Sequence, residues 1–173
     1  MSSDKVHIMV DIETLDTNLS AVILSIGAVT MHREDQQTFY GEYNPDTQSG
    51  RTQSQSTLAW WAQQTIQQPK GVINLYTGLE EFSYWLHSLR AEPIIWCKGT
   101  DFDTVILSNA YQQYKLPVPW KYNNVRDMRT LKKLHPQLNY LTNPVPHHAL
   151  QDAINQATHL AQIFAYNQYL QWE

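Results

Sequence analysis

A chain of 173 residues, 42% hydrophobic and 12% aromatic, can bury one substantial core and is too short for two ordinary domains, so residues 1–173 read as a single domain. Its formal net charge of −4 argues against gripping duplex nucleic acid through a broad basic face, although clustered carboxylates tolerate phosphate once divalent cations fill them. No run approaches the roughly 20 apolar residues that span a bilayer, and MSSDKVHIMV fits neither a secretory signal nor a transit peptide.

The first element in the chain is a short apolar strand, Val6 to Val10, followed directly by Asp11 and Glu13. After a polar turn at Asp16 to Ser20, the run from Ala21 to Met31 reads as a buried strand pairing with the first, and Thr38 to Tyr43 as a third, ended by Pro45. Asp46 to Thr57 is polar and without periodicity, which predicts a mobile surface loop, with Ser56 or Thr57 capping a short helix through Leu58, Trp60 and Trp61. Leu79, Phe82, Leu86 and Leu89 fall at helical spacing. Pro93 to Cys97 is the next strand, and its lone cysteine suits a reducing cytoplasm and a small core residue. Phe102 to Tyr114 reads as a helix with Val105, Ile106, Ala110 and Tyr114 inward; Asn124 to Met128 is a strand, Thr130 to Leu134 a short helix, and Ala149 to Tyr169 the last helix. Three strands followed by alternating helices and strands describe an α/β domain with a mixed sheet and helices on its faces.

Three acidic segments stand out. Asp11 and Glu13, two apart on a strand, point to one face and make a hard-oxygen site suited to Mg²⁺ or Mn²⁺. In KGTDFD, Asp103 stands where a strand passes into a helix, with Asp101 a rival at the same place. HHALQD opens the last helix behind Pro144 and Pro146, which favour extended chain before it. Each has an ordinary structural explanation when taken alone, such as an Asp complementing a helix dipole.

Their conjunction and order resemble the DEDDh exonucleases of the DnaQ and RNase T superfamily over most of the chain. DIET followed by SIGAV is similar to that family's first motif and second strand, GTDFD to its second motif, and HHALQDA to its third, His-x-x-x-x-Asp. TLAWW, WCKGTDFD and VRDMRT look most like phage DexA-type exonucleases and their bacterial exoribonuclease relatives. The resemblance implies an RNase H-like fold, a five-stranded mixed sheet flanked by helices. It also implies a 3′-to-5′ exonuclease with Asp11, Glu13, Asp103 and Asp152 holding two Mg²⁺ or Mn²⁺ ions per active site, and His147 as general base. Phe102, with Thr14 and Leu15 after the first motif, would seat the terminal nucleotide, Leu15 wedging against the last base. The sequence leaves the oligomeric state open; that similar short exonucleases are often homodimers is analogy alone.

Such residues suit the reaction. Charge builds on the phosphoryl and leaving 3′-oxygens during displacement, divalent ions stabilise it, and an imidazole with an ordinary pKa near 6.5 can take the proton of the attacking water. His148, four residues before Asp152, rivals His147 for that role. Trp60 and Trp61 diverge by about 100° on a helix, so one can stack on a base of a single-stranded 3′ end, unless both pack under the neighbouring loop. Arg126 and Arg129 can meet phosphate or serve only structure, and Asp127 is a candidate helix cap. Two other functions fit the same residues: a phosphohydrolase of dinucleotides or small nucleotides, and a non-catalytic nucleic-acid-binding module. No motif distinguishes DNA from RNA, because a 2′-hydroxyl is sensed by one or two hydrogen bonds.

Overall fold

Strand β1, Lys5–Thr14, lies at the centre of the sheet, and its alternation sets the architecture. Val6, Ile8, Val10 and Ile12 enter one core, whereas Met9 enters a second on the opposite face, the side to which Asp11 and Glu13 also belong by the strand's period of two. Around it are β2 (Ile23–Met31), β3 (Thr38–Glu42), β4 (Glu92–Cys97) and β5 (Val125–Asp127), in the order β3-β2-β1-β4-β5. The β1–β2 and β2–β3 pairs are antiparallel and the β1–β4 and β4–β5 pairs parallel, which makes the sheet mixed. The structure is a computed structural model that describes residues 4–31, 35–138, 145–167 and 170. Among these, no helix is long and apolar enough to cross a membrane.

Among the described residues, five α-helices complete the fold: α1 (Gln55–Trp61), α2 (Leu75–Ser88), α3 (Asp103–Gln113), α4 (Met128–Leu134) and α5 (Ala149–Tyr166). Phe82 and Leu79 of α2 and Ile106, Leu107 and Tyr111 of α3 cover one face, while Ala153, Ala157 and Leu160 of α5 and Met128 of α4 cover the other. Both faces are therefore buried, which explains why every residue of β2 is buried. The approach of α5 to the sheet is close enough that a Cβ on Gly27 of β2 would lie 2.2 Å from the Leu150 amide nitrogen. Because Gly27 pairs with Asp11, that contact sets the first turn of α5 directly beside the strand's carboxylates.

Several boundaries differ from the sequence reading. The first strand continues past Val10: β1 stays paired to β2 through Asp11, Ile12 and Glu13, so both carboxylates lie within the ladder. The segment from Asp46 to Thr57 is anchored. Gln48 is buried, its amide donating to the Ile23 carbonyl and accepting from the Ile23 N–H, so it continues the hydrogen bonding of β2 with a side chain. Arg51 is also buried, its Nε donating to the Ala21 carbonyl and its Nη1 to Asn109 and Gln113. Polar composition there reflects side chains satisfying backbone groups, which composition alone cannot distinguish from solvation. The cap of α1 is Ser54, whose hydroxyl accepts from the Thr57 N–H, rather than Ser56 or Thr57. On α3, Val105 is exposed, and Thr104, Leu107 and Tyr111 join Ile106 and Ala110 on the inner face. The last helix ends at Tyr166; Gln168 and Tyr169, like Pro144, lie outside the described residues.

Candidate active site

The ladder between β1 and β4 ends at Met9 and Trp96, so beyond it the backbone of β1 on that side needs other partners. Asp103, at the first position of α3, supplies one: its Oδ1 accepts from the Ile12 N–H at 3.2 Å. That contact fixes a carboxylate only 5% exposed beside Asp11 and Glu13. From the other side, α5 brings Asp152 and the residues preceding its first turn. His147 has φ 64°, in the left-handed region that side chains rarely adopt, and its N–H donates to Asp152 Oδ2 at 2.7 Å. A strained backbone is thereby held by a carboxylate of the same site, and strain of this kind clusters at functional positions.

Asp11, Glu13, Asp103, Asp152 and His147 line one pocket of about 280 Å³, together with Ile12, Lys98, Phe102, Arg129 and Gln156. Ligand atoms of Glu13, His147 and Asp152 lie within 4.8 Å of one another. The charges are in conflict: burial, then the neighbouring acids, push Asp11 well above the ordinary carboxyl range, and burial followed by Asp152 and Asp103 pushes Glu13 up to about 8. Burial drives Asp103 up to about 7, against the hydrogen bond from Ile12. Four carboxylates converging on one pocket cannot all ionise cheaply without a cation, so this oxygen-rich donor set fits a divalent metal.

The rival residues point elsewhere. Asp101 has a side chain 82% exposed, facing Arg129 at 3.8 Å. His148 stacks on Tyr40, ring centroids 4.5 Å apart, towards β3. His147 instead meets Trp60 edge to face at 4.6 Å. Arg126 donates to the backbone carbonyls of Asn123 and Val125, and Asp127 caps α4 by accepting from the Arg129 N–H and the Thr130 hydroxyl. Cys97 is buried, which raises its thiol pKa and removes it from nucleophilic chemistry.

Beside the acidic pocket lies a slot of about 360 Å³ lined by Ile12, Glu13, Thr14, Asp16, Thr17, Ser56, Thr57, Trp60 and Phe102. Of the residues expected to contact substrate, Thr14, Trp60 and Phe102 line this slot, and Leu15 and Trp61 do not. Leu15 is buried with Val22, Leu24 and Trp61 beneath the slot, because the chain turns after Thr14 and carries the next side chain into a small core. Trp61 is 4% exposed and its indole N–H donates to the Thr14 carbonyl, so it supports the slot from below, whereas Trp60 is 38% exposed. None of the motifs points to Gln156; the signal for it is spacing, one turn after Asp152 on the same helix face.

Residues 6–164 match the family model described as the 3′-5′ exoribonuclease Rv2179c-like domain. This chain belongs to that family. It is accordingly a 3′-5′ exonuclease, a hydrolase, and the likeness to DEDDh exonucleases read from its motifs holds. No curated protein sequence matches the chain. Among solved structures it is similar to the nuclease domain of 3′hExo, a DEDDh family member bound to rAMP, with 14% identity and a TM-score of 0.65 over 98% of this chain and 96% of that one. It also resembles exonuclease X in complex with 5′ overhanging duplex DNA, with 18% identity and a TM-score of 0.59 over 95% and 94% of the two chains. A product-bound exonuclease I gives 14% identity and a TM-score of 0.62 over 96% of this chain and 44% of the other. These likenesses establish the RNase H-like fold.

Proposed function

We propose that this family member removes nucleotides one at a time from single-stranded 3′ ends, RNA foremost, releasing nucleoside 5′-monophosphates with His147 as general base. The observation that carries the reading is the convergence of Asp11, Glu13, Asp103, Asp152 and His147 on one pocket adjoining a slot with an exposed Trp. RNA is placed first because the family description names an exoribonuclease. The closer likeness to phage DexA-type enzymes rests on the sequence segments alone.

The four carboxylates would hold two Mg²⁺ or Mn²⁺ ions. Bound there, the ions would supply Lewis acidity to the attacking water and to the departing 3′-oxygen. His147 accepts the water's proton as the new P–O bond forms; the bond from phosphorus to the 3′-oxygen breaks, and that oxygen takes a proton from solvent water to leave a 3′-hydroxyl on a strand one nucleotide shorter. Trp60 and Phe102 flank the terminal base, and Thr14 borders its sugar. Lys98 and Arg129, on the wall of the acidic pocket, offset phosphate charge that the carboxylates repel. Degrading matched single-stranded RNA and DNA oligonucleotides labelled at the 5′ end, with Mn²⁺, tests the reading. A ladder shortening from the 3′ end supports it; cleavage confined to dinucleotides or nucleoside triphosphates, or none at all, overturns it.

The charge conflict gives a second check. A carboxyl whose folded pKa is raised costs no stability below its unfolded pKa and costs progressively more as pH rises towards the folded value. Metal-free protein should therefore melt at lower temperature at pH 8 than at pH 5.5, across the window set by Asp103 at about 7 and Glu13 at about 8. Saturating Mn²⁺ should raise the melting temperature more at pH 8 than at pH 5.5. An equal rise at both values would mean that these carboxylates do not hold the ion.

Base stacking contributes roughly 1–3 kcal/mol, so Trp60→Ala should raise KM about 5- to 150-fold with kcat largely kept. Trp61→Ala should instead lower the melting temperature, costing about 3–5 kcal/mol as a buried aromatic is lost. Steady-state kinetics and calorimetry on both variants separate the two roles.

A further inference from the structure

We propose that Gln156 is a positioning residue of the metal site, holding the Asp11 carboxylate through its amide nitrogen and turning its amide oxygen towards the cations or their water. The inference rests on the metal-dependent reading above. Gln156 is 2% exposed, lines the acidic pocket, and donates from Nε2 to Asp11 Oδ1 at 2.7 Å. Once cations hold Asp11 ionised it accepts only, so the amide presents its NH₂ to Asp11, as in the structure, and Oε1 lies on the other side of the group. That Oε1 is buried and has no hydrogen-bond partner among the described residues.

A buried amide oxygen without a partner costs free energy, and such atoms in native proteins usually mark an ion or an ordered water. A glutamine serving only as structure between α5 and β1 has no reason to leave one end unsatisfied. The residue type also suits the task. A lysine or arginine here would compete with the cations for Asp11, and a glutamate would add a fifth negative charge. Glutamine adds two donors and a neutral oxygen, and it constrains one Asp11 oxygen while leaving the other for a ligand. Supporting groups of this kind orient metal ligands and tune the site in many metalloenzymes. The chain secures the placement by spacing: Gln156 follows Asp152 by one helical turn, so the residue that would bind metal and the residue that orients its partner share one face of α5.

The test is calorimetric titration of Mn²⁺ into metal-free full-length protein, comparing wild type with Gln156→Met, which keeps the length without polar atoms, and Gln156→Asn, which keeps the amide but falls short of Asp11. Both variants should bind Mn²⁺ about 10- to 100-fold more weakly. The Mn²⁺ concentration for half-maximal turnover should rise in parallel, with kcat at saturating metal largely retained. The melting temperature of metal-free Gln156→Met should stay close to that of wild type, since removing the unpaired oxygen offsets the donor lost to Asp11. Unchanged Mn²⁺ affinity in either folded variant would reduce Gln156 to a structural residue. Wild-type protein that binds no Mn²⁺ would instead sink the metal-dependent reading itself, so the two failures are distinguishable.

Discussion

Asp103→Asn should lower kcat by more than about 100-fold, whereas Asp101→Asn should stay within about fivefold of wild type. The two residues flank Phe102, yet the fold treats them oppositely. Asp103 is buried with one oxygen committed to the Ile12 amide, and Asp101 is an exposed partner for Arg129 at 3.8 Å. Asparagine preserves the shape and still offers an oxygen to Ile12, so the substitution removes charge and little else. In metal-free protein it also relieves repulsion that bears on Asp11 and Glu13. The melting temperature of metal-free Asp103→Asn should therefore equal or exceed that of wild type while Mn²⁺ affinity falls. A drop in melting temperature in step with activity would assign Asp103 to structure. Loss of activity in Asp101→Asn alone would reverse the assignment.

Much of this arrangement was legible before the coordinates, and unevenly so. Strand and helix order followed from apolar periodicity, because a sheet covered on both faces needs continuous apolar strands such as Ile23–Met31. The acidic motifs were legible as types, since Asp11 and Glu13 share a face by strand geometry. What sequence could not supply was distance. That Asp103 meets β1 depends on where the parallel ladder with β4 stops, and that His147 and Asp152 meet it depends on Gly27 admitting α5. Neither is a local property. Nor is the burial of Leu15 and Trp61, because adjacent residues on one turn part company only when the core beneath them is known. Gln48 and Arg51 misread for a related reason: polar side chains that replace backbone partners look, in composition, like a solvated loop.

His147→Asn should reduce kcat by about 10²- to 10⁴-fold, the usual contribution of a positioned general base, and His148→Asn should leave it nearly unchanged. Asparagine is the informative replacement because it tolerates the left-handed backbone at φ 64° better than most residues, so the chain entering α5 keeps its path. The N–H that binds Asp152 then remains in place, and loss of the ring is the main change. Two roles for that ring predict different measurements. Its nitrogen lies within 4.8 Å of carboxylate oxygens on Glu13 and Asp152, close enough to serve as a metal ligand itself. If it were a ligand, Mn²⁺ affinity would fall together with kcat. If it is the base, the carboxylates alone hold the ions, and affinity should change by no more than a few-fold while turnover collapses. A base must also be neutral to accept a proton, so the acidic limb of the wild-type pH–rate profile should flatten in the residual activity of the variant. Persistence of that limb with turnover intact would move the proton acceptor away from His147, and His148, stacked on Tyr40 across the helix entry, would be the next residue to replace.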